Sequence, residues 1–239
     1  MNTRSIPTFE RLLRSPARHV CALLFACIAT CGAHAATRCA PTERAGMERC
    51  ITGVAPSAVR EIQEQQKASN WCWAASISML LASGGVRVPQ EEVVREHFGT
   101  VVNERVTGKE FHALLNRSWH TPSGEIVETA ARPVAPWWGQ LGLMAPDVLA
   151  DLEQGRPLVL GLHEHAVLLV EVTFERQTGG NPGSYRLLRA GVLDPANGLR
   201  SLRREEIPLE FVTRVAVERH PETAANAREL RVASAAISP

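Results

Sequence analysis

Gln66-Lys67-Ala68-Ser69-Asn70-Trp71-Cys72-Trp73-Ala74-Ala75 is the stretch on which the reading of this chain turns. A polar run gives way to an apolar one within it. From Asn70 to Ala82, residues Ala74, Ala75, Ile77, Met79, Leu80 and Leu81 cover nearly every side of a helix, so that helix is expected to be buried. Ser69 or Asn70 can cap its start, and Gly84-Gly85 ends it. Cys72 therefore stands at the first turn of a buried helix. Unpaired N–H groups and the positive end of the helix dipole favour a thiolate at that position. Many inert cysteines also begin helices, so a reactive thiol needs a base as well.

The rest of the composition is that of an ordinary globular chain. Of 239 residues, 45% are apolar, 21% charged and 5% aromatic, which excludes collagen-like, low-complexity and disordered classes. The net charge of +1 leaves no basic footprint for a nucleic acid. Residues 1–35 read as a secretory signal: Arg4, Arg11, Arg14 and Arg18, then an apolar run around Leu23, Leu24, Phe25 and Ile28, then Ala33-His34-Ala35 as a cleavage site. The apolar run is short of the roughly 20 residues a membrane span needs. Cleavage is expected after Ala35, with a secreted or periplasmic product and no stable membrane insertion.

Export changes the cysteine count. Cys21, Cys27 and Cys31 leave with the signal, and Cys39, Cys50 and Cys72 remain. An oxidising compartment favours pairing, and an odd number leaves one thiol over. Cys39 and Cys50 are the natural disulfide pair, within an arm over residues 36–62 that Pro41, Gly46, Gly53 and Pro56 keep free of helix or strand pattern. Pairing of Cys72 with either is the alternative.

Further helices are expected over 89–97, over 108–116 capped by Thr107, and over 145–154 with Gly155 as its stop. The pattern then turns to β: strands over 157–162, 166–174, 185–193 and 211–218, with a turn-rich loop at 177–183. Helices first and strands after make an α+β arrangement. Residues 221–239 carry little core material and read as a tail.

His163 and His165 bracket the mouth of an apolar strand, a costly place for imidazoles without partner or task. Strand alternation would set both on one face. His-x-His on a strand also supplies two zinc ligands, but no convincing third ligand lies nearby. Asp194 ends the next strand, and a hairpin sets the end of one strand beside the start of its partner. His165 and Asp194 are thus expected to meet, and the carboxylate would hold the imidazole in the useful tautomer. Gln63, Gln65 and Gln66 precede Cys72. A side-chain amide beside the Cys72 N–H can bind a developing oxyanion.

Gln66 followed by Cys72-Trp73-Ala74-Ala75, then His165-Ala166-Val167, then Asp194, resembles the papain-like cysteine peptidases, and within them the bacterial branch that includes avirulence-type cysteine proteases. The resemblance covers roughly residues 60–218. It implies Cys72 as nucleophile, His165 as base, Asp194 as orienter and Gln66 as oxyanion-hole donor. It implies a two-lobed fold, a helical lobe carrying the cysteine packed on an antiparallel β lobe carrying the histidine, over residues 63–220. It implies hydrolysis of amide bonds in a protein or peptide substrate, with no cofactor and no metal. Ser69 stands where plant and animal relatives carry a further cysteine. Trp71 and Trp73 flank the nucleophile, and Trp137-Trp138 lie further on. They can wall a substrate cleft or pack between lobes. Two other readings use the same residues: a non-catalytic binding domain on this fold, or another cysteine-dependent acyl transfer.

Overall fold

The helix begun by Cys72 is the buried centre. The computed structural model describes residues 37–134, 143–179, 185–206 and 209–220. The expected signal segment, the tail, Trp137-Trp138 and most of the 177–183 loop lie outside the described residues.

In chain order the elements are β1 (Arg38–Pro41), β2 (Met47–Gly53), α1 (Pro56–Ile62), α2 (Cys72–Ser83), α3 (Gln90–Phe98), α4 (Gly108–Leu114), β3 (Ser118–His120), β4 (Ile126–Pro133), α5 (Pro146–Glu153), β5 (Leu158–Leu162), β6 (His165–Gln177), β7 (Arg186–Asp194), β8 (Gly198–Ser201) and β9 (Phe211–Arg219). Every residue of α2 from Trp73 to Leu81 is buried, as an all-round apolar helix requires. Two glycines shape its end. A Cβ on Gly84 would stand 2.6 Å from the Val217 side chain, so the helix end approaches β9 closely. Gly85 has φ +78°, a conformation that favours glycine.

The start of α2 departs from expectation. Trp71, not Ser69 or Asn70, is its N-cap, and no side chain caps it. Ser69 and Asn70 instead bind Asn103: the Asn70 amide donates to the Asn103 carbonyl at 2.9 Å, and Asn103 Nδ2 donates to Ser69 Oγ at 3.0 Å. The polar residues before the helix thus hold the 99–107 segment. The expected Thr107 cap of α4 does form. Gly99 ends α3 in the left-handed conformation, and Thr107 makes a capping box with Glu110.

Strands run in the order β1-β2-β6-β5-β9-β4-β3, with β7 pairing β6 and β8; every pairing is antiparallel. The 13-residue β6 is the hub. β5 pairs along its first residues, β2 along its last ones, and β7 along both parts. α2 docks on β6, where Ser76 Oγ donates to the Ala166 carbonyl at 3.1 Å. α5 is tied to β9 through Asp151, a buried carboxylate that accepts from Arg214 Nη2 and Arg156 Nε at 3.0 Å each.

The α+β class with a large antiparallel sheet therefore stands, but the strict succession of helices and then strands does not. Residues 38–53 form two strands at one edge, and 56–62 form a helix. β2 shows no apolar alternation because charges pair it to β6: Arg49 meets Glu175 at 2.9 Å and Arg176 meets Glu48 at 2.6 Å. Cys39 and Cys50 face each other in the β1–β2 register and are joined as a disulfide. β3 and β4 also come before the β-rich half; fully buried Trp119 anchors them by donating to Thr129 Oγ1 at 3.1 Å. No helix among the described residues is long and apolar enough to cross a membrane.

Candidate active site

α2 delivers Cys72 and β6 delivers His165. The first turn of α2 lies over the first residues of β6, so Cys72 and His165 face the same cavity and interact electrostatically. β7 runs antiparallel to β6 with Leu193 opposite Leu168, which brings Asp194 alongside the strand mouth. His165 Nε2 stands 2.9 Å from Asp194 Oδ1, leaving Nδ1 for the sulfur. Cys72 is the free cysteine among the described residues, half-buried at the wall of a cavity of about 570 Å³. Gln66, Trp73, Phe111, His165 and Phe211 line the same cavity.

The electrostatics favour an ion pair. Burial pushes the Cys72 thiol up, but the hydrogen bond to His165, the Ala166 backbone and the imidazole charge together bring it below its ordinary value. Burial pushes His165 down, and hydrogen bonds and charges from Asp194 and Cys72 more than offset this, raising it to about 9. Asp194 has a side chain with 0% exposure. Burial raises it, and donors from His165, Asn197, Arg200 and the Ala196 N–H hold it well below the usual carboxylate range.

Those donors saturate the Asp194 carboxylate. Oδ1 accepts from His165 and from Ala196 N at 2.8 Å, and Oδ2 accepts from Asn197 Nδ2 at 3.1 Å and Arg200 Nε at 2.7 Å. Sequence reasoning missed Asn197 and Arg200. The Asp194-Pro195-Ala196-Asn197-Gly198 run is the available signal for the first, because an Asp side chain at a turn start accepts N–H groups two and three residues on. Arg200 carries no such local signature.

Gln66 sits at the cavity, with a finer geometry than expected. Its Nε2 donates to the carbonyls of Ala68 at 3.0 Å and Ser69 at 2.8 Å, and its Oε1 is buried without a hydrogen bond. The amide hydrogens are thus committed to backbone here, and one must be released to reach an oxyanion. The Gln66 backbone N–H donates to the Pro195 carbonyl at 2.9 Å, tying the segment before Cys72 to the turn after Asp194.

No protein-family model matches the chain, and no curated protein matches it. Among solved structures, a double glycine motif protease from an AMS/PCAT transporter, in complex with the leader peptide, is similar at 17% identity and a TM-score of 0.38, over 66% of this chain and 91% of that one.

Two expectations need correction. His163 and His165 do not share a strand face. His163 and Glu164 form the two-residue turn between β5 and β6, where Leu162 pairs with His165. His163 is 93% exposed beside Glu210, while His165 turns in to Asp194, so the two do not form a metal pair. Trp71 is not at the cavity: it is buried and its Nε1 donates to the Val102 carbonyl at 2.8 Å. Trp73 touches the cavity but is also buried, donating to the Glu104 carbonyl at 3.2 Å and stacking edge-on with His97. Both tryptophans chiefly anchor the 99–107 segment. That segment reaches back over the cavity mouth, where Arg105 pairs with Glu164 at 3.0 Å.

Proposed function

We propose that this protein is an exported cysteine peptidase that hydrolyses amide bonds in a protein or peptide substrate. One observation carries the reading: a helix-start thiol and an imidazole that is itself held by a buried carboxylate line one cavity of about 570 Å³.

The Cys72 thiolate attacks the substrate carbonyl carbon, forming a C–S bond and pushing the carbonyl electrons onto oxygen. The Cys72 N–H, left without a side-chain cap, and one N–H of Gln66 released from its carbonyls hold that oxyanion. The His165 imidazolium gives its Nδ1 proton to the leaving nitrogen as the C–N bond breaks. A water then attacks the thioester while His165 takes its proton, and the C–S bond breaks to restore thiolate and imidazolium. Asp194 keeps Nε2 protonated and the ring in plane throughout. Arginines before an apolar run, Ala33-His34-Ala35, and a disulfide between Cys39 and Cys50 support export.

A mixed peptide library incubated with the protein tests the reading by mass spectrometry. New amino and carboxyl termini are expected at amide bonds, and prior alkylation of Cys72 should block them. A protein whose Cys72 alkylates readily at pH 6 yet cleaves nothing in the library would contradict a peptidase.

A further inference from the structure

Behind Asp194 lies a second ion pair that the reaction as described does not use. Arg200 on β8 gives its Nε to Asp194 Oδ2 at 2.7 Å. Its other two nitrogens form a fork on Glu206, in the 3-10 turn Arg204–Glu206, at 2.8 and 2.7 Å. Glu206 also accepts the Arg203 N–H at 2.7 Å. Arg200 and Glu206 are 20% and 12% exposed, so solvent screens them little. Counted from the surface inward, the charges alternate: Glu206 negative, Arg200 positive, Asp194 negative, His165 positive, Cys72 negative.

We propose that Arg200 and Glu206 are positioning residues, which lock the Asp194 carboxylate against rotation and set how much of its negative charge acts on the His165 imidazolium. The inference rests on the proposed Cys72–His165 chemistry. The geometry supplies the lock. With Arg200 Nε and Asn197 Nδ2 on Oδ2, a turn of the carboxylate would forfeit both bonds, so Oδ1 stays on the imidazole. The charge order supplies the tuning. Arg200 draws Asp194 toward itself and weakens its hold on the imidazolium. Glu206 draws Arg200 away and restores that hold.

The two residues therefore act with opposite sign. Removing the Arg200 charge leaves His165 as the one cation on Asp194, with Glu206 keeping only the exposed Arg203 behind it, and the imidazolium persists to higher pH. Removing the Glu206 charge gives Arg200 wholly to Asp194, and the imidazolium is lost at lower pH. The other charges around His165 stand at exposed rims: His163 and Glu164 in the β5–β6 turn, Glu210 ahead of β9, Arg105 across the mouth, and Arg203 and Glu205 beside Glu206. Arg200→Met leaves all of them in place, and Glu206→Gln changes only the pairing of Arg203, which is 67% exposed and screened by solvent.

Carbon NMR of histidine-labelled protein, with the His165 signal assigned by its loss in His165→Gln, reads the titration without a substrate. Arg200→Met should raise the His165 midpoint by about one pH unit and Glu206→Gln should lower it by about as much. Arg200→Lys keeps the charge and should return the midpoint to within a few tenths of the wild type. A loosened fold would move both neutral variants the same way. That result, or an unmoved midpoint in Glu206→Gln, which keeps the shape but loses the charge and one acceptor of the Arg200 fork, overturns the proposal. A wild-type midpoint near the ordinary histidine value of about 6.5 overturns the ion-pair chemistry beneath it, and the proposal with it.

Discussion

Cys72→Ala should abolish amide hydrolysis, a loss on the order of 10⁵-fold or more in kcat, because nothing else at the cavity can form the thioester. Water attacking directly gains only the oxyanion donors. The fold should survive. Cys72 is half-buried at a cavity wall, and alanine is the better residue inside a helix. Thermal unfolding should shift by no more than a few degrees, and the peptide-library digestion should match the blank. Loss of the sulfur also removes one of the interactions that raise His165, so the imidazole should titrate lower in this variant. Retained turnover in Cys72→Ala would place the nucleophile elsewhere.

Asp194→Ala should damage both activity and stability. The imidazole loses the acceptor that fixes its tautomer, for which a loss of about 10⁴-fold in kcat is the expected scale. Arg200 keeps Glu206 but loses its buried carboxylate, and the N–H groups of Ala196 and Asn197 lose their acceptor. Stripping one partner from a buried ion pair costs about 3 kcal/mol or more, seen as a marked fall in denaturation midpoint. The pH dependence has a definite sign. Asp194 is held below its unfolded value, so its contribution to stability is present above about pH 4 and lost as pH falls through the depressed folded value. The wild type should lose stability there and Asp194→Ala should not show that decline. Asp194→Asn keeps the shape, so it should recover part of the stability and little of the rate.

Much of this site was legible in the chain because its parts are local. An all-round apolar helix could begin only near Cys72, and a hairpin between two apolar runs set His165 beside Asp194. What escaped the sequence depends on distant partners. His163 was placed with His165 by assuming a continuous strand, whereas the chain turns at His163-Glu164. The first strands were illegible because β2 pairs through Arg49 and Glu48 to charges more than a hundred residues away. For Trp71 and Trp73 the sequence left cleft wall and packing open; the 99–107 segment supplies carbonyls for both indole N–H groups, and Trp73 also touches the cavity. Arg200 and Glu206 show no periodicity or motif. They meet Asp194 only because β8 turns back along β7 and the short 3-10 turn follows. Gln66 is set apart from Gln63 and Gln65 only by the resemblance to papain-like peptidases, and which groups its amide serves emerges only from the backbone around it.

The central claim is that Cys72 and His165 form a thiolate–imidazolium pair, and the rate of Cys72 carboxamidomethylation from pH 4 to 11 tests it most directly. The modified peptide can be followed by mass spectrometry in protein that keeps the Cys39–Cys50 disulfide. The account predicts labelling that sets in below the pH at which an ordinary thiol reacts, and a second change of rate near pH 9 as His165 gives up its proton. A single rise centred near pH 8.5, the value of a free cysteine, would contradict the pair and the chemistry built on it.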